Sequence, residues 1–493
     1  MESATTHSNR PAESLGSQVR SAILWRSGTQ ILGQLIQWAA TFLVIRILAP
    51  SDYGLFAMTQ VVLVLLNMLN GYGLASGLIQ QPRIEPRQIA QTFGMLILLN
   101  GGLAILQVAL APLAAAYYRQ PMVADLLRVQ ALLYLFTPFI ALPYALLARE
   151  MDFRKQAKVN LASSVLSAAA ALGGALAGLD VWTLVLAPIV LFGSRAIGMT
   201  LAARSWVRPS FRFAGAGGLA RYGGVMAIGS FFWFVQSQAD IFIAGRSFSA
   251  HELGIYSTSL FLTQIFVSKF VPPLNEVAFS AYARIQHDSA AVANAFARAA
   301  RIIMVAAMPF YMGLAVTAEP LVLTVLGPKW AAAAPIVHLL AFAMPFMTVQ
   351  VLFAPACEAR GRPGIGVENG ASGSLILAVA FLIGVHWGVD GLAWAWILGY
   401  PVYLAVSAWR SLPIIGLSAR GLIAAIAPAA IASIAMALAV HGIDRALPPL
   451  HPAARLAILV ASGALIYGAW LFAFARDAIG ELTAVVRRRP LPA

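Results

Sequence analysis

Long apolar stretches, separated by short polar segments, follow one another along nearly the whole chain. A stretch of about 20 apolar residues is long enough to cross a bilayer as a helix. Fourteen such spans are predicted, near 21–48, 55–80, 89–116, 129–148, 159–179, 181–203, 223–245, 254–281, 295–316, 335–356, 366–386, 390–409, 421–440 and 455–475. Only 11% of the 493 residues are charged, so lipid must cover much of the surface. The pattern predicts an all-α polytopic membrane protein with about 14 transmembrane helices.

Lysine and arginine residues are distributed unequally between the alternating loops. With the N-terminus in the cytoplasm, the loops on that side hold 23 of these residues and the opposite loops hold seven. Cytoplasmic loops of membrane proteins carry such an excess. We therefore expect both termini to be cytoplasmic. Basic loops beside anionic headgroups also explain the net charge of +14 without a nucleic-acid partner.

A short motif occurs twice in the chain. Residues 46–56 read RILAPSDYGLF and residues 246–256 read RSFSAHELGIY. The elements that recur at identical offsets are an arginine (Arg46, Arg246), an acid (Asp52, Glu252) and a glycine (Gly54, Gly254). Each acid is expected to complement a helix start, and each glycine to let two helices approach closely. Duplicated halves are typical of transporters whose two bundles rock around a site between them.

The repeat predicts two pseudo-symmetric six-helix lobes around a central cavity, with two helices appended. The predicted division is a cytoplasmic tail (1–20), an N-terminal lobe (21–204), a cytoplasmic connector (205–221), a C-terminal lobe (222–411), two further transmembrane helices (412–476) and a cytoplasmic tail (477–493).

The first predicted span carries a polar stripe. Arg26, Gln30, Gln34 and Gln37 are spaced by four, four and three residues, which places them on one helical face. A stripe of this kind faces either a transport cavity or a seam of hydrogen bonds between helices. We expect it to line a cavity.

Other charges also lie inside predicted spans. Lys269 and Arg195 are candidates for contacting an anionic substrate group, although either side chain could instead snorkel, or pair with Glu276. A break in the helix is predicted at Pro272-Pro273. Asp240 either binds a coupling proton or sodium ion or pairs with an arginine such as Arg26, and Glu276 is a second candidate for ion coupling.

The sequence contains no pattern typical of an enzyme. It has no metal-spaced histidine and cysteine set, no phosphate-binding glycine loop and no nucleophile elbow. We therefore expect a protein that is not an enzyme and that has no cofactor beyond a coupling H⁺ or Na⁺.

Six short motifs along the chain form a pattern found in a known family of membrane proteins. They are Leu48-x-Pro50-x-Asp52-Tyr53-Gly54-Leu55-Phe56, Gly71-Tyr72-Gly73-Leu74, Leu78-Ile79-Gln80, Ala239-Asp240, Glu252-Leu253-Gly254-Ile255-Tyr256 and Leu326-Gly327-x-Lys329-Trp330. With these motifs the chain resembles the polysaccharide transport family of the multidrug/oligosaccharidyl-lipid/polysaccharide exporter superfamily. The resemblance implies two six-helix lobes and an alternating-access flippase of the bacterial inner membrane. Its implied cargo is an oligosaccharide repeat unit on undecaprenyl pyrophosphate, for O-antigen, capsule or exopolysaccharide synthesis. Membrane lipids and other polysaccharide-assembly proteins are the further expected partners.

Three alternative functions stay open at this point. A flippase for a lipid-linked peptidoglycan precursor and a cation-coupled multidrug antiporter would share the same superfamily. The charges Arg26, Arg195 and Lys269 favour an anionic cargo over the drugs of an antiporter. An integral-membrane polysaccharide polymerase is an alternative of a different class, from which we would expect a sizeable outer loop or a polar catalytic cluster.

Overall fold

The computed structural model describes residues 15–70, 78, 84–150, 152–212 and 217–474, and these residues form no β-strand. Side chains are described from Gly28 onward in the first helix and from Phe231 onward in the eighth. The helices are α1 (Leu15–Ile47), α2 (Pro50–Asn67), α3 (Pro86–Tyr118), α4 (Met122–Gln130), α5 (Leu132–Arg149), α6 (Phe153–Leu176), α7 (Trp182–Ala203), α8 (Gly217–Ser247), α9 (Ala250–Arg284), α10 (Ser289–Val316), α11 (Ala318–Val325), α12 (Ala333–Val351), α13 (Phe353–Ala359), α14 (Gly364–Gly384), α15 (Gly388–Ile415), α16 (Ala419–Ala446) and α17 (Pro452–Phe474).

Each of the fourteen predicted spans contains a helix, so the all-α membrane class is confirmed. The two short loops near Asp180 and Asp390 do separate neighbouring helices. Asp180 has a φ of 45° and Gly388 a φ of 71°, backbone angles at which a right-handed helix ends. Large apolar side chains lie on the outside of the helices; Leu176 is 77% exposed and Ile105 is 74% exposed. Such surfaces suit contact with lipid.

The helices pack into two compact units, each assembled from separate parts of the chain. Unit 1 comprises Met1–Val44, Leu69–Ala111 and Asp125–Gly223. Unit 2 comprises Ile45–Met68, Pro112–Ala124 and Gly224–Ala493. Unit 2 therefore contains both copies of the repeated motif, one from the end of α1 to the start of α2 and the other from the end of α8 to the start of α9.

Within unit 2, α2 and α9 cross with their backbones in contact at Gly54 and Gly254, a contact that we call the glycine crossing. A Cβ atom added at Gly54 would lie 1.8 Å from the carbonyl oxygen of Ala250. A Cβ atom added at Gly254 would lie 1.7 Å from the carbonyl oxygen of Pro50. Only glycine fits at either position, because any larger residue would place carbon inside a backbone oxygen.

The motif acids cap the two helices that meet at this crossing. Asp52 Oδ2 accepts a hydrogen bond from the backbone N–H of Ala49 at 2.9 Å. Glu252 Oε2 accepts one from the backbone N–H of Ser249 at 2.9 Å, and Ser249 accepts one in return from the N–H of Glu252. The Ser249 and Glu252 contacts form a capping box at the start of α9, whereas at α2 the Asp52 side chain alone supplies the side-chain bond.

The motif arginines donate to backbone carbonyls of other segments of unit 2. Arg46 Nη1 lies 2.6 Å from the carbonyl oxygen of Thr324. Arg246 Nη1 lies 2.5 Å from that of Tyr117. A charged donor makes a stronger hydrogen bond than a neutral one, so these two contacts tie the motif to α11 and α3.

The break predicted at Pro272-Pro273 is wrong, because α9 is a continuous helix from Ala250 to Arg284 with both prolines inside it. Proline removes one backbone donor but fixes φ near −65°, which is a helical value. The two prolines therefore remove hydrogen bonds from α9 without ending it.

We expect Gly54→Ala or Gly254→Ala to force α2 and α9 apart, because the new methyl group would overlap a backbone oxygen. Overpacking of this kind costs about 1–3 kcal/mol of stability or more. The midpoint of thermal unfolding of the detergent-solubilised protein should fall. Gly101→Ala is the matched control, because a Cβ atom there meets nothing within 4 Å. Equal midpoints for Gly54→Ala and Gly101→Ala would contradict the close contact.

Candidate functional site

Unit 1 contains a polar cavity of about 540 Å³ between α1, α5, α6 and α7. Its volume lies within the range of small-molecule sites. The polar residues that line it are Thr29, Gln30, Gln34, Gln37, Tyr144, Gln156, Asn160, Ser164 and Arg195. The other lining residues are Gly33, Ile140, Phe153, Ala157, Leu161, Leu191 and Met199. A polar cavity among membrane-spanning helices holds water or a ligand, because hydrocarbon cannot satisfy its hydrogen-bonding groups.

The α1 wall of the cavity is held against α6 by a side-chain hydrogen bond. Gln37 Nε2 donates to the carbonyl oxygen of Ser164 at 3.1 Å. Gly33 lies beside the same residue, since a Cβ atom added there would be 3.5 Å from Ser164 Oγ. With Gln37 fixed in this way, Gln30 and Gln34 face the cavity from the same side of α1.

The α6 wall carries Gln156, Asn160 and Ser164, which are four residues apart and therefore share one helical face. Gln156 is buried, and its Nε2 donates to the carbonyl oxygen of Tyr144 at 3.1 Å. This bond joins α6 to α5. Asn160 is half-buried and has no hydrogen-bond partner among the residues that the structure describes.

Arg195 lies half-buried in the middle of α7 and lines the same cavity. A guanidinium at membrane depth is costly unless it meets water, a polar partner or an anion. Its position among amide side chains gives the cavity one positive charge, and no acidic residue is among the described residues that line it.

The structure brings four of the residues predicted from sequence, Gln30, Gln34, Gln37 and Arg195, into this one cavity. Arg26 lies in α1, but its side chain falls outside the described residues. Lys269, Glu276 and Asp240 belong to unit 2. A role of any of these residues in binding substrate or an ion stays a prediction.

Sequence reasoning missed Gln156, Asn160 and Ser164. The spacing of four residues was available as a signal, because it is the same pattern that identified the stripe in α1. Gln156 and Asn160 precede or begin the apolar run at 159–179, so a search by hydropathy placed them at the edge of the span.

Asp240 is fully buried in unit 2, and both of its carboxylate oxygens accept hydrogen bonds. Tyr256 OH donates to Oδ2 at 2.7 Å, and the backbone N–H of Ile241 donates to Oδ1 at 2.8 Å. Trp396 Nε1 in turn donates to Tyr256 OH at 2.7 Å. The described residues offer Asp240 no basic partner. The carboxylate is therefore held by neutral donors within this part of the chain.

A second set of hydrogen bonds in unit 2 connects α8, α12, α14 and α15. Gln236 Nε2 donates to the carbonyl oxygen of Gly370 at 2.7 Å. Tyr403 OH donates to Gln236 Oε1 at 3.3 Å and accepts from Gln350 Nε2 at 2.7 Å. Among the described residues, no cluster of three or more histidine, cysteine or acidic side chains could hold a metal ion.

The model of a family described as Polysaccharide biosynthesis protein matches residues 43–335, more than half of the chain. The chain belongs to this family. Members of the family are thus the proper comparison for its motifs, and the resemblance seen in the sequence is confirmed.

Two curated relatives are similar over most of their length. A succinoglycan biosynthesis transport protein of Rhizobium meliloti (strain 1021) is 28% identical over 354 residues, 70% of this chain and 69% of that protein. A teichuronic acid biosynthesis protein of Bacillus subtilis (strain 168) is 23% identical over 460 residues, 92% of this chain and 95% of that protein. The match to a named transport protein agrees with a helical membrane chain of the transporter type.

A solved structure of the lipid II flippase MurJ in an inward closed conformation has the same fold. Its TM-score is 0.76 at 13% identity, and the match covers 93% of this chain and 100% of that one. At this identity the likeness establishes the fold alone. The chain is a multi-pass membrane protein of the polysaccharide biosynthesis family, and its fold is that of the MurJ structure.

We expect Tyr256→Phe to destabilise unit 2, because the phenylalanine leaves Asp240 Oδ2 and Trp396 Nε1 without their shared hydroxyl. A buried polar group without a partner costs about 1–3 kcal/mol. Thermal unfolding of the purified protein measures the loss. Tyr134→Phe is the matched control, since Tyr134 is 1% exposed and its hydroxyl has no partner among the described residues. Equal unfolding midpoints for the two variants would contradict the hydrogen-bonded network.

Proposed function

We propose that this family member is a flippase that translocates an undecaprenyl-pyrophosphate-linked oligosaccharide repeat unit across the bacterial inner membrane. The repeat unit would serve O-antigen, capsule or exopolysaccharide synthesis. Transport would follow alternating access, with both termini in the cytoplasm. The family match, the relatives of polysaccharide biosynthesis and the flippase fold support this proposal.

The observation that carries the proposal is the polar cavity of unit 1. It lies among helices whose outward surfaces are apolar, so polar cargo and a lipid tail would meet different parts of the same bundle. A polyprenyl tail could stay in the bilayer while the sugars cross through a hydrated space. The alternative of a dry packing seam is disfavoured, because Gln30, Gln34 and Asn160 have no partner among the described residues.

Alternating access requires contacts between the two repeats that close in one state and open in another. The glycine crossing has the chemistry expected of such a contact, because it joins the two copies of the motif through backbone atoms. We propose that this crossing closes one side of the transport path.

The remaining predicted charges have assigned roles in this proposal. Lys269 is exposed on α9 and has no partner among the described residues, so it is available to an anion. Arg26 and Arg195 of unit 1 are likewise proposed, each on its own, to contact an anionic group of the cargo. Asp240 is proposed to take a coupling proton or sodium ion, with Glu276 as the second candidate.

Deleting the gene is expected to leave lipid-linked repeat units in the inner leaflet of the membrane and to abolish the surface polymer. Extraction and mass spectrometry of polyprenyl-linked sugars measure the accumulation, and accessibility to an impermeant oxidant in spheroplasts measures the leaflet. Normal surface polymer in a strain without a redundant exporter would contradict the proposal. Accumulation of peptidoglycan precursor instead would support the lipid-linked peptidoglycan alternative.

We expect Lys269→Ala and Arg26→Ala each to lower export about tenfold, the order of one lost charge-assisted hydrogen bond, while protein abundance stays unchanged. Lys269→Arg keeps the charge and should retain more activity. Arg420→Ala is the control, because this exposed arginine lies at the start of α16. Wild-type export from both alanine variants would remove the two cations from the proposed path.

A further inference from the structure

The cavity of unit 1 is richer in carboxamide side chains than in charge. Five amides line it, namely Gln30, Gln34, Gln37, Gln156 and Asn160, and the basic residue among its described lining is Arg195. A carboxamide offers two N–H donors and an acceptor oxygen. A phosphate oxygen only accepts hydrogen bonds at neutral pH, and proteins recognise phosphate chiefly with arginine and lysine. With one basic residue beside five amides, this lining offers more neutral hydrogen-bonding groups than charge, a balance that suits an uncharged polar ligand better than a diphosphate.

Two of the five amide side chains hold the cavity walls together by hydrogen bonds, and the other three face the open space of the cavity. Gln37 and Gln156 each donate to a backbone carbonyl at 3.1 Å, which ties α1 to α6 and α6 to α5. Gln30, Gln34 and Asn160 have no hydrogen-bond partner among the described residues. The donors and acceptors of these three side chains are thus free to bind a ligand or water in the cavity.

We propose that this cavity is a carbohydrate subsite, in which Gln30, Gln34 and Asn160 hydrogen-bond the hydroxyl groups of an uncharged sugar residue. A sugar hydroxyl both donates and accepts hydrogen bonds, and a neutral carboxamide does the same. Tyr144 and Phe153 add aromatic surface to the lining, against which the C–H face of a pyranose packs. The volume of about 540 Å³ leaves room for a small ligand of this kind.

This inference rests on the proposed function, since it assigns the sugar part of the cargo to one group of residues. It also separates recognition of the sugar from recognition of the diphosphate. Within unit 1 the amide side chains would bind the sugar. The pyrophosphate would be bound by those cationic side chains that contact the cargo.

The test is equilibrium binding to purified full-length protein in nanodiscs, with two probes measured separately by calorimetry. One probe is the uncharged repeat-unit oligosaccharide released from the host's own lipid-linked precursors. The other is undecaprenyl pyrophosphate without sugar. The variants are Gln34→Met and Asn160→Leu, which keep side-chain volume and remove the amide. Gln120→Met is the matched control, because Gln120 lies in the short loop between α3 and α4 and does not line the cavity.

We expect Gln34→Met and Asn160→Leu each to weaken oligosaccharide binding about five- to tenfold, the order of one unmade hydrogen bond. Binding of undecaprenyl pyrophosphate should change less than about twofold, as should both affinities of Gln120→Met. Unchanged thermal unfolding midpoints would show that both cavity variants are folded; a variant that fails this check is replaced by Gln34→Ala or Asn160→Ala.

Three results would overturn the inference. In the first, wild-type protein binds undecaprenyl pyrophosphate but not the oligosaccharide. This result would refute the carbohydrate subsite without contradicting the flippase proposal. In the second, the amide variants weaken both probes equally or neither of them. In the third, wild-type protein binds neither probe. This result would contradict both the proposed function and the carbohydrate subsite.

Discussion

A polar group inside a lipid bilayer needs a protein partner or water, and this constraint sorts the deep polar residues of the chain into two classes. Asp240, Tyr256 and Trp396 satisfy one another in a buried network of unit 2. Gln34 and Asn160 lack partners among the described residues, and both line the cavity of unit 1. The first class therefore holds helices together, and the second lines the space where we propose that water or cargo binds.

The glycine crossing brings two helix backbones into direct contact. At Gly54 and Gly254 the two helices approach until carbonyl oxygens fill the space that side chains would occupy. At these two positions the nearest atoms across the contact belong to the backbone. The proposed opening of this contact would break no side-chain hydrogen bond at Gly54 or Gly254, whereas separation of the Asp240 network would break buried hydrogen bonds.

Hydropathy predicted the helices well because crossing a bilayer is a property of a whole segment, which averages over many residues. The shared face of Gln30, Gln34 and Gln37 likewise followed from helical periodicity alone. The hydrogen-bond partners of individual side chains did not follow from the sequence. Nothing in the sequence indicates that Arg246 donates to the Tyr117 carbonyl, since that contact joins residues 129 positions apart. The helix break predicted at Pro272-Pro273 was wrong, because the φ of proline is compatible with the helix that contains it.

A cavity lined by neutral amides suits a site that must release what it binds. Each hydrogen bond from Gln34 or Asn160 to a ligand replaces a bond to water, so its net contribution is only about 0.5–1.5 kcal/mol. A cluster of buried cations on a diphosphate would bind more tightly, because charged partners are costly to separate at low dielectric. An amide subsite therefore lets several weak bonds position a sugar while leaving it free to exchange with water. In the proposed subsite, the amide lining of unit 1 would therefore orient the sugar without retaining it strongly.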